Sequence, residues 1–229
     1  MAEVRLIEVR QEVLAENRQE AGDIRARLER HRVFMVNLMS SPGSGKTSLI
    51  LKTVRALKDA YRIAVIEGDI DATVDAEKVA REGIPAVQIR TGGACHLDAP
   101  MIAAALKELD LAALDCIIVE NVGNLVCPTA YDLGEDTRVA LLSVTEGEDK
   151  PAKYPQLFHS ADVIVITKTD IAAAVEWDRD AAMAAIRAVN PTAPVLETSA
   201  RTGDGVLALL TLLVPSSSIT PSPQLQEAP

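Results

Sequence analysis

The sequence predicts an α/β protein with a mostly parallel, doubly wound sheet and helices on both faces. Two observations predict it. Short apolar runs rich in β-branched residues, such as Val33–Met39, Ile117-Ile118-Val119 and Val163–Ile166, alternate with segments of helical period. Between the first run and the first helical pattern, Ser48–Asp59, stands Ser40-Ser41-Pro42-Gly43-Ser44-Gly45-Lys46-Thr47. Strand, Gly-rich turn, Gly-Lys-Thr and helix make a phosphate-binding P-loop.

The elements follow in order. Residues 1–32 are charged, with Val4, Ile7, Leu14, Ile24 and Leu28 at roughly helical spacing. They read as one or two amphipathic helices, either a partner-docking or dimerising arm or a helix covering the core, with His31 on the polar face. Val33–Met39 is the first strand and Arg62–Glu67 the second, ending in Gly68-Asp69-Ile70-Asp71. Asp71–Glu82 is a short helix or ordered loop, and Ala86–Arg90 a short strand. Leu97–Leu109 is helical, with Asp98 suited to its positive end. Asp115–Glu120 is a buried strand, with Cys116 as core. Arg138–Thr145 and Asp162–Thr167 are strands, Ala172–Val189 is a long helix, Val195–Thr198 a last strand and Val206–Leu213 a last helix. The core domain spans 33–214. The Pro- and Ser-rich 215–229 is expected to be a disordered tail.

Bulk properties narrow the function. The 229 residues suit one α/β domain with appendages, and 48% hydrophobic residues support a sizeable core. Lys and Arg number 23 against 33 Asp and Glu, a net charge of −10 that argues against a nucleic-acid or anionic-membrane surface. No apolar run approaches the ~20 residues of a membrane span. The start of the chain is laced with Glu and Arg and lacks the apolar core of a signal peptide, so the expectation is a cytoplasmic protein. Three cysteines, Cys95, Cys116 and Cys127, show no secreted disulfide pattern.

The P-loop defines the fold class further, as a P-loop NTPase. Gly43 and Gly45 let backbone N–H groups, with those of Ser44 and Ser48 beside them, curl around phosphate oxygens at a helix N-terminus. Lys46 reaches the β- and γ-phosphates, and the Thr47 hydroxyl can ligate Mg²⁺. Ser40 stands where the usual pattern has Gly; it enters the turn, expected to lie outside the tight cradle. Asp69 ends a buried strand and is the first choice for the acidic partner of Mg²⁺, with Glu120 a candidate for Mg²⁺-linked water. Asp71 or Asp75, in a switch-like loop, is placed to orient attacking water. Val119-Glu120-Asn121-Val122-Gly123 resembles a γ-phosphate sensor, in which Gly123 offers its N–H without a Cβ clash. Asn124 follows it, not glutamine, so hydrolysis should be slow.

The base-reading segment is Thr167-Lys168-Thr169-Asp170, which resembles the Asn-Lys-x-Asp motif of GTPases. A carboxylate at Asp170 accepts from guanine N1–H and the exocyclic amine, whereas adenine would face it with a lone pair. The Lys168 stem covers the base, Thr167 takes over part of the bracing of Asn, and Ser199-Ala200 resembles the loop whose backbone N–H meets guanine O6. Cys95-His96 precedes a helix and Cys127-Pro128 follows the γ-phosphate sensor. Thiolates with an imidazole suit Ni²⁺ or Zn²⁺, although each Cys taken alone is also a common small core residue.

Together these segments resemble the hydrogenase nickel-incorporation GTPases, the HypB family of SIMIBI-class P-loop GTPases, over roughly Val33 to Leu213. Ser40–Thr47, Glu67-Gly68-Asp69, Gly92–Ala99 with Cys95-His96-Leu97-Asp98-Ala99, Glu120–Pro128 with Asn121-Val122-Gly123-Asn124-Leu125-Val126-Cys127-Pro128, Asp132-Leu133-Gly134-Glu135, Lys150-Pro151 with Lys153-Tyr154-Pro155, and Thr167–Asp170 carry the likeness. The resemblance implies a GTP-dependent homodimer that uses GTP and Mg²⁺ and carries nickel, or zinc, at Cys95, His96 and Cys127. It also implies delivery toward the large subunit of [NiFe]-hydrogenase with a small zinc-binding partner of HypA type. Many members add an N-terminal Cys-rich site and a His-rich stretch; residues 1–32 hold no Cys and only His31. Four rivals remain. A urease nickel GTPase would pair Cys-Pro with His, but Thr129 follows Pro128. A GTPase chaperone of cobalamin enzymes would leave Cys95-His96 and Cys127 without purpose. An ATP-dependent small-molecule kinase is opposed by Asp170 and the Ser199-Ala200 loop, and a passive scaffold with structural zinc would be ruled out by hydrolysis that Lys46→Ala abolishes.

Overall fold

The computed structural model describes residues 9–71 and 74–213. Seven strands form one sheet: β1 (Phe34–Met39), β2 (Ile63–Asp69), β3 (Ala86–Arg90), β4 (Cys116–Glu120), β5 (Thr137–Ser143), β6 (Val163–Thr167) and β7 (Val195–Glu197). Their order is β3-β2-β4-β1-β5-β6-β7, and every pairing is parallel, not mostly so. All strand C-termini therefore lie along one edge, where ligands of such sheets bind.

Period-2 alternation sorts each strand between two faces. Val36 and Leu38 of β1, Ile63 and Val65 of β2, Ile118 of β4, Val139 and Leu141 of β5 and Val165 of β6 pack on one face with α2 (Lys46–Leu57), α3 (Val74–Ala80) and α8 (Val206–Leu213). Their neighbours in sequence, Ile66, Ile117 and Val119, meet α1 (Val9–His31) and α4 (Ala99–Ala105) on the other. Beyond them on that face Leu142, Ile164 and Ile166 pack on α6 (Pro155–His159) and α7 (Arg179–Val189), which α5 (Lys150–Lys153) precedes in the chain. Cys116 belongs to the buried core, and burial pushes its thiol up to about 12.

Helix α1 is one helix docked on the core, through Ala21, Ile24 and Leu28. Val4, Ile7 and the tail from 215 lie outside the described residues. Asn17 interrupts the apolar stripe: it is buried, its amide donates to Asp132 O at 2.8 Å, and its oxygen accepts from Ala99 N at 2.8 Å.

The expected helix over Ala172–Val189 begins instead at Arg179. Two 3₁₀ turns, Thr169–Ile171 and Ala173–Val175, come first. Glu176 has φ 54°, which breaks the helical path, and the Asp178 side chain then caps α7 by accepting from Ala181 N at 2.9 Å. Asp98 caps α4 in the same way, accepting from Met101 N at 2.9 Å. Among the described residues no helix is long and apolar enough to cross a membrane.

Candidate functional site

The turn after β1 passes through Gly43 at φ 75° and Gly45 at φ 98°, left-handed values that favour glycine. The Ser40 hydroxyl turns into the loop. Lys46 Nζ donates to Ser40 Oγ at 3.0 Å, and Ser40 Oγ and Ser44 Oγ are also in contact. Ser40 is thus part of the loop's interior, not outside the cradle; a hydroxyl there holds the lysine as a bare glycine cannot. Ser44 is likewise interior, whereas Gly43, Gly45, Lys46, Thr47 and Ser48 line a cleft of about 670 Å³.

The far wall of that cleft carries Asp69, Asp75, Glu120 and Gly123. Thr47 Oγ1 donates to Glu120 Oε1 at 3.0 Å, and Glu120 Oε2 is buried without a partner. Asp69 Oδ1 accepts from Asp71 N at 2.9 Å, and Asp75 pairs with Lys78 at 2.7 Å. Gly123 lies so close to the loop that a Cβ on it would sit 3.0 Å from Pro42 N and Cα.

Sequence reasoning placed Glu67 in a family-like segment but gave it no role at the site. It is opposite Glu120 in the β2–β4 register and 2% exposed, and its Oε1 has no partner. Burial, then the neighbouring Glu120, push its carboxyl up to about 10. Glu120 is raised as well, by burial, with Glu67, Lys46 and Thr47 opposing. Lys46 is lowered by burial against the pull of Glu120, Glu146 and Glu67. Two buried carboxyls this close hold a proton in the metal-free protein, and a divalent cation would take that proton's place. Unpartnered oxygens on Glu67 and Glu120 and the adjacent Thr47 hydroxyl are hard oxygen donors of the kind Mg²⁺ takes.

A second cavity, about 420 Å³, adjoins the loop and is lined by Thr167, Lys168, Asp170, Ala200 and Arg201 with Lys52 and Arg55 of α2. Thr167 Oγ1 donates to Ser44 O at 2.7 Å, the bracing expected of it. Lys168 has φ 62° and donates to Gly43 O at 2.7 Å, so its stem lies across the P-loop. Ser199 is held within the Ser-Ala loop and supports Asp170. Its N–H is bonded to Asp204 O at 3.0 Å, and its hydroxyl donates to Asp170 Oδ1 at 2.7 Å. Ser199 orients the carboxylate and leaves Ala200 on the cavity wall.

The structure brings Cys95, His96 and Cys127 together although Cys127 lies 31 positions beyond His96. One ligand atom from each lies within 4.8 Å of the others. Cys95 Sγ is 4.0 Å from His96 Nδ1. Two donors of a tetrahedral metal at ordinary bond lengths lie about 3.6 Å apart, so a small closure would bring these three donors to the spacing of metal ligands. The thiol of Cys95 is raised by its contact with Cys127 and by burial, with the side chain of Asn124 opposing. His96 is lowered by burial, which favours the neutral, ligating imidazole. Its ring stacks on Tyr131 with centroids 3.9 Å apart.

A loop of this geometry beside a base cavity, on the C-terminal edge of a parallel sheet, defines a P-loop nucleotide-binding protein, and the thiol–imidazole cluster sets it apart within that class. Residues 34–197 match the family described as "CobW/HypB/UreG, nucleotide-binding domain". The chain is 48% identical over 206 residues to the hydrogenase maturation factor HypB of Azotobacter vinelandii, covering 90% of this chain and 68% of that one. It superposes on HypB from Helicobacter pylori in complex with nickel with a TM-score of 0.82 and 37% identity, over 86% of this chain and 93% of that one. HypB from Archaeoglobus fulgidus gives a TM-score of 0.82 and 41% identity, over 87% and 97%. The chain belongs to the CobW/HypB/UreG family and, within it, to the HypB hydrogenase maturation factors.

Proposed function

We propose that this chain is a GTP-hydrolysing metallochaperone that binds nickel and delivers it during [NiFe]-hydrogenase maturation in the cytoplasm. The observation that carries the reading is the junction of two sites: Cys127 lies four residues beyond Gly123, which rests on the P-loop itself.

GTP would place its phosphates on Gly43, Ser44, Gly45, Thr47 and Ser48, with Lys46 leaving Ser40 for the β- and γ-oxygens. Mg²⁺ would be held by Thr47, Asp69 and Glu120, and supplies charge neutralisation at the phosphates when bound. Asp75 faces the same cleft and is placed to orient water. Asp170, steadied by Ser199, reads the guanine edge, while Lys168 covers the base and Ala200 meets its carbonyl. Asn124 stands where a water-orienting glutamine would be and bonds elsewhere, so hydrolysis is slow.

Nickel is the cargo, with zinc as a competitor for the same donors. Three donors per chain leave coordination to be completed, and a second copy related by a two-fold axis supplies it. GTP favours the closed dimer and one metal geometry; hydrolysis relaxes both. The small zinc-binding chaperone of HypA type and the hydrogenase large subunit are the partners for transfer. A urease role is disfavoured because the Thr129 hydroxyl donates to Val126 O at 2.7 Å, closing a turn where that reading needs a ligand.

The test is hydrolysis by the purified protein with GTP and ATP in competition. The reading expects GTP to be preferred and Lys46→Ala to abolish turnover. Preference for ATP, or turnover surviving that substitution, contradicts it.

A further inference from the structure

We propose that Asn124 is the tie between the two metal-ligand loops: its side-chain amide positions the backbone of Cys95 against that of Cys127 and passes the position of Gly123 to both. This rests on the reading of Cys95, His96 and Cys127 as the nickel site.

Every polar group of the Asn124 side chain points to that cluster. Nδ2 donates to Cys95 O at 3.3 Å, across 29 positions of sequence. Oδ1 accepts from Val126 N at 2.8 Å and, more weakly, from Cys127 N at 3.4 Å. One planar group therefore spans the main chain beside one thiol and the main chain beside the other. The bonds to both loops are made to backbone, so removing them leaves all three ligands in place and changes only their spacing.

The other end of the tie is the nucleotide loop. Gly123 precedes Asn124 and packs so closely on Pro42 that a Cβ would meet it at 3.0 Å. A shift of the P-loop or of a phosphate near Gly123 moves the Asn124 backbone, and its amide moves Cys95 and Cys127 together. A half-buried asparagine costs little to replace, which makes the tie testable without dismantling the fold. Groups that orient metal ligands without touching the metal are worth roughly 10- to 100-fold in affinity.

The experiment uses the full chain with Asn124→Ser and Asn124→Ala. Serine keeps an acceptor for the local turn but cannot reach Cys95. Nickel affinity is measured by competition with a chelator, and the thiolate-to-nickel absorption band is recorded, with GDP and with a non-hydrolysable GTP analogue. GDP affinity reports the integrity of the nucleotide fold. The expected result is a roughly 10-fold or greater loss of nickel affinity in both variants, a shifted band, a GTP-analogue-to-GDP affinity ratio falling toward one, and unchanged GDP affinity. Wild-type affinity, band and ratio in the serine variant would mean that Asn124 only closes a turn, and would overturn the proposal. Loss of GDP affinity in both variants would overturn it too, by making Asn124 a support of the fold. Absence of nickel binding in the wild-type protein would remove the site itself, and is distinguished from failure of the tie by that control.

Discussion

Replacing Glu67 with Gln keeps its shape and removes one buried ionisable group. In the metal- and nucleotide-free protein its carboxyl is pushed up to about 10 by burial and then by Glu120, from an ordinary value of 4.5. The folded chain therefore holds a proton at Glu67 that the unfolded chain releases above about pH 4.5. Stability from this group is complete below that point and is lost as pH rises toward the folded value, by about 1.36 kcal/mol per pH unit. Between pH 5.5 and 7.5 the wild type should lose on the order of 2–3 kcal/mol that Glu67→Gln does not. The proton shared with Glu120 and the charge of Lys46 keep this an upper range. Titrations away from Glu67, Glu120 and Lys46 are common to both proteins and cancel in the difference. Urea unfolding at pH 5.5, 6.5 and 7.5 in chelator measures it. The variant should gain on the wild type steadily with pH, by about 5–10 °C if followed as a melting temperature. Parallel profiles would show that Glu67 is ionised and compensated in the folded protein, and would refute the argument.

Three further outcomes are expected. Asp170→Ala should weaken GDP binding by roughly 100-fold or more while leaving the weaker ADP binding nearly unchanged, as titration calorimetry with both nucleotides would show; an equal loss for both would place Asp170 outside base recognition. Asp178→Ala removes the cap on Ala181 N and should cost about 1 kcal/mol, a fall of roughly 2–4 °C in thermal midpoint. Asn17→Ala leaves Ala99 N buried and unpaired and should cost about 1–3 kcal/mol by denaturant unfolding; no change would mean that α1 is not integral to the fold.

The strands were legible because their composition leaves no other choice. Ile117-Ile118-Val119 and Val163–Ile166 are apolar on both faces, the mark of a covered parallel sheet. Loop chemistry was legible where a motif fixes conformation, as with Gly43 and Gly45. What stayed hidden depends on contacts between distant segments. Glu67 is an acidic residue in an apolar run, a signal in itself, but its meaning comes from the β2–β4 register that sets it opposite Glu120. Asn17 belongs to no motif, and its bridge between Ala99 and Asp132 exists only once α1 is docked. The start of α7 was misplaced because alanines at 172–174 favour helix, while the left-handed Glu176 and the Asp178 cap decide the boundary. The short helices α5 and α6, each with Pro in its first turn, have too little length for a periodic signal.

The most direct test of a nucleotide-gated metal carrier is a nickel titration of the purified protein with GDP and with a non-hydrolysable GTP analogue, following bound metal and molecular size together, with Cys127→Ala as control. The account predicts nickel uptake and dimer formation that depend on the nucleotide and vanish in the variant. Identical uptake and size with both nucleotides would contradict the gating, and uptake that survives in Cys127→Ala would contradict the site.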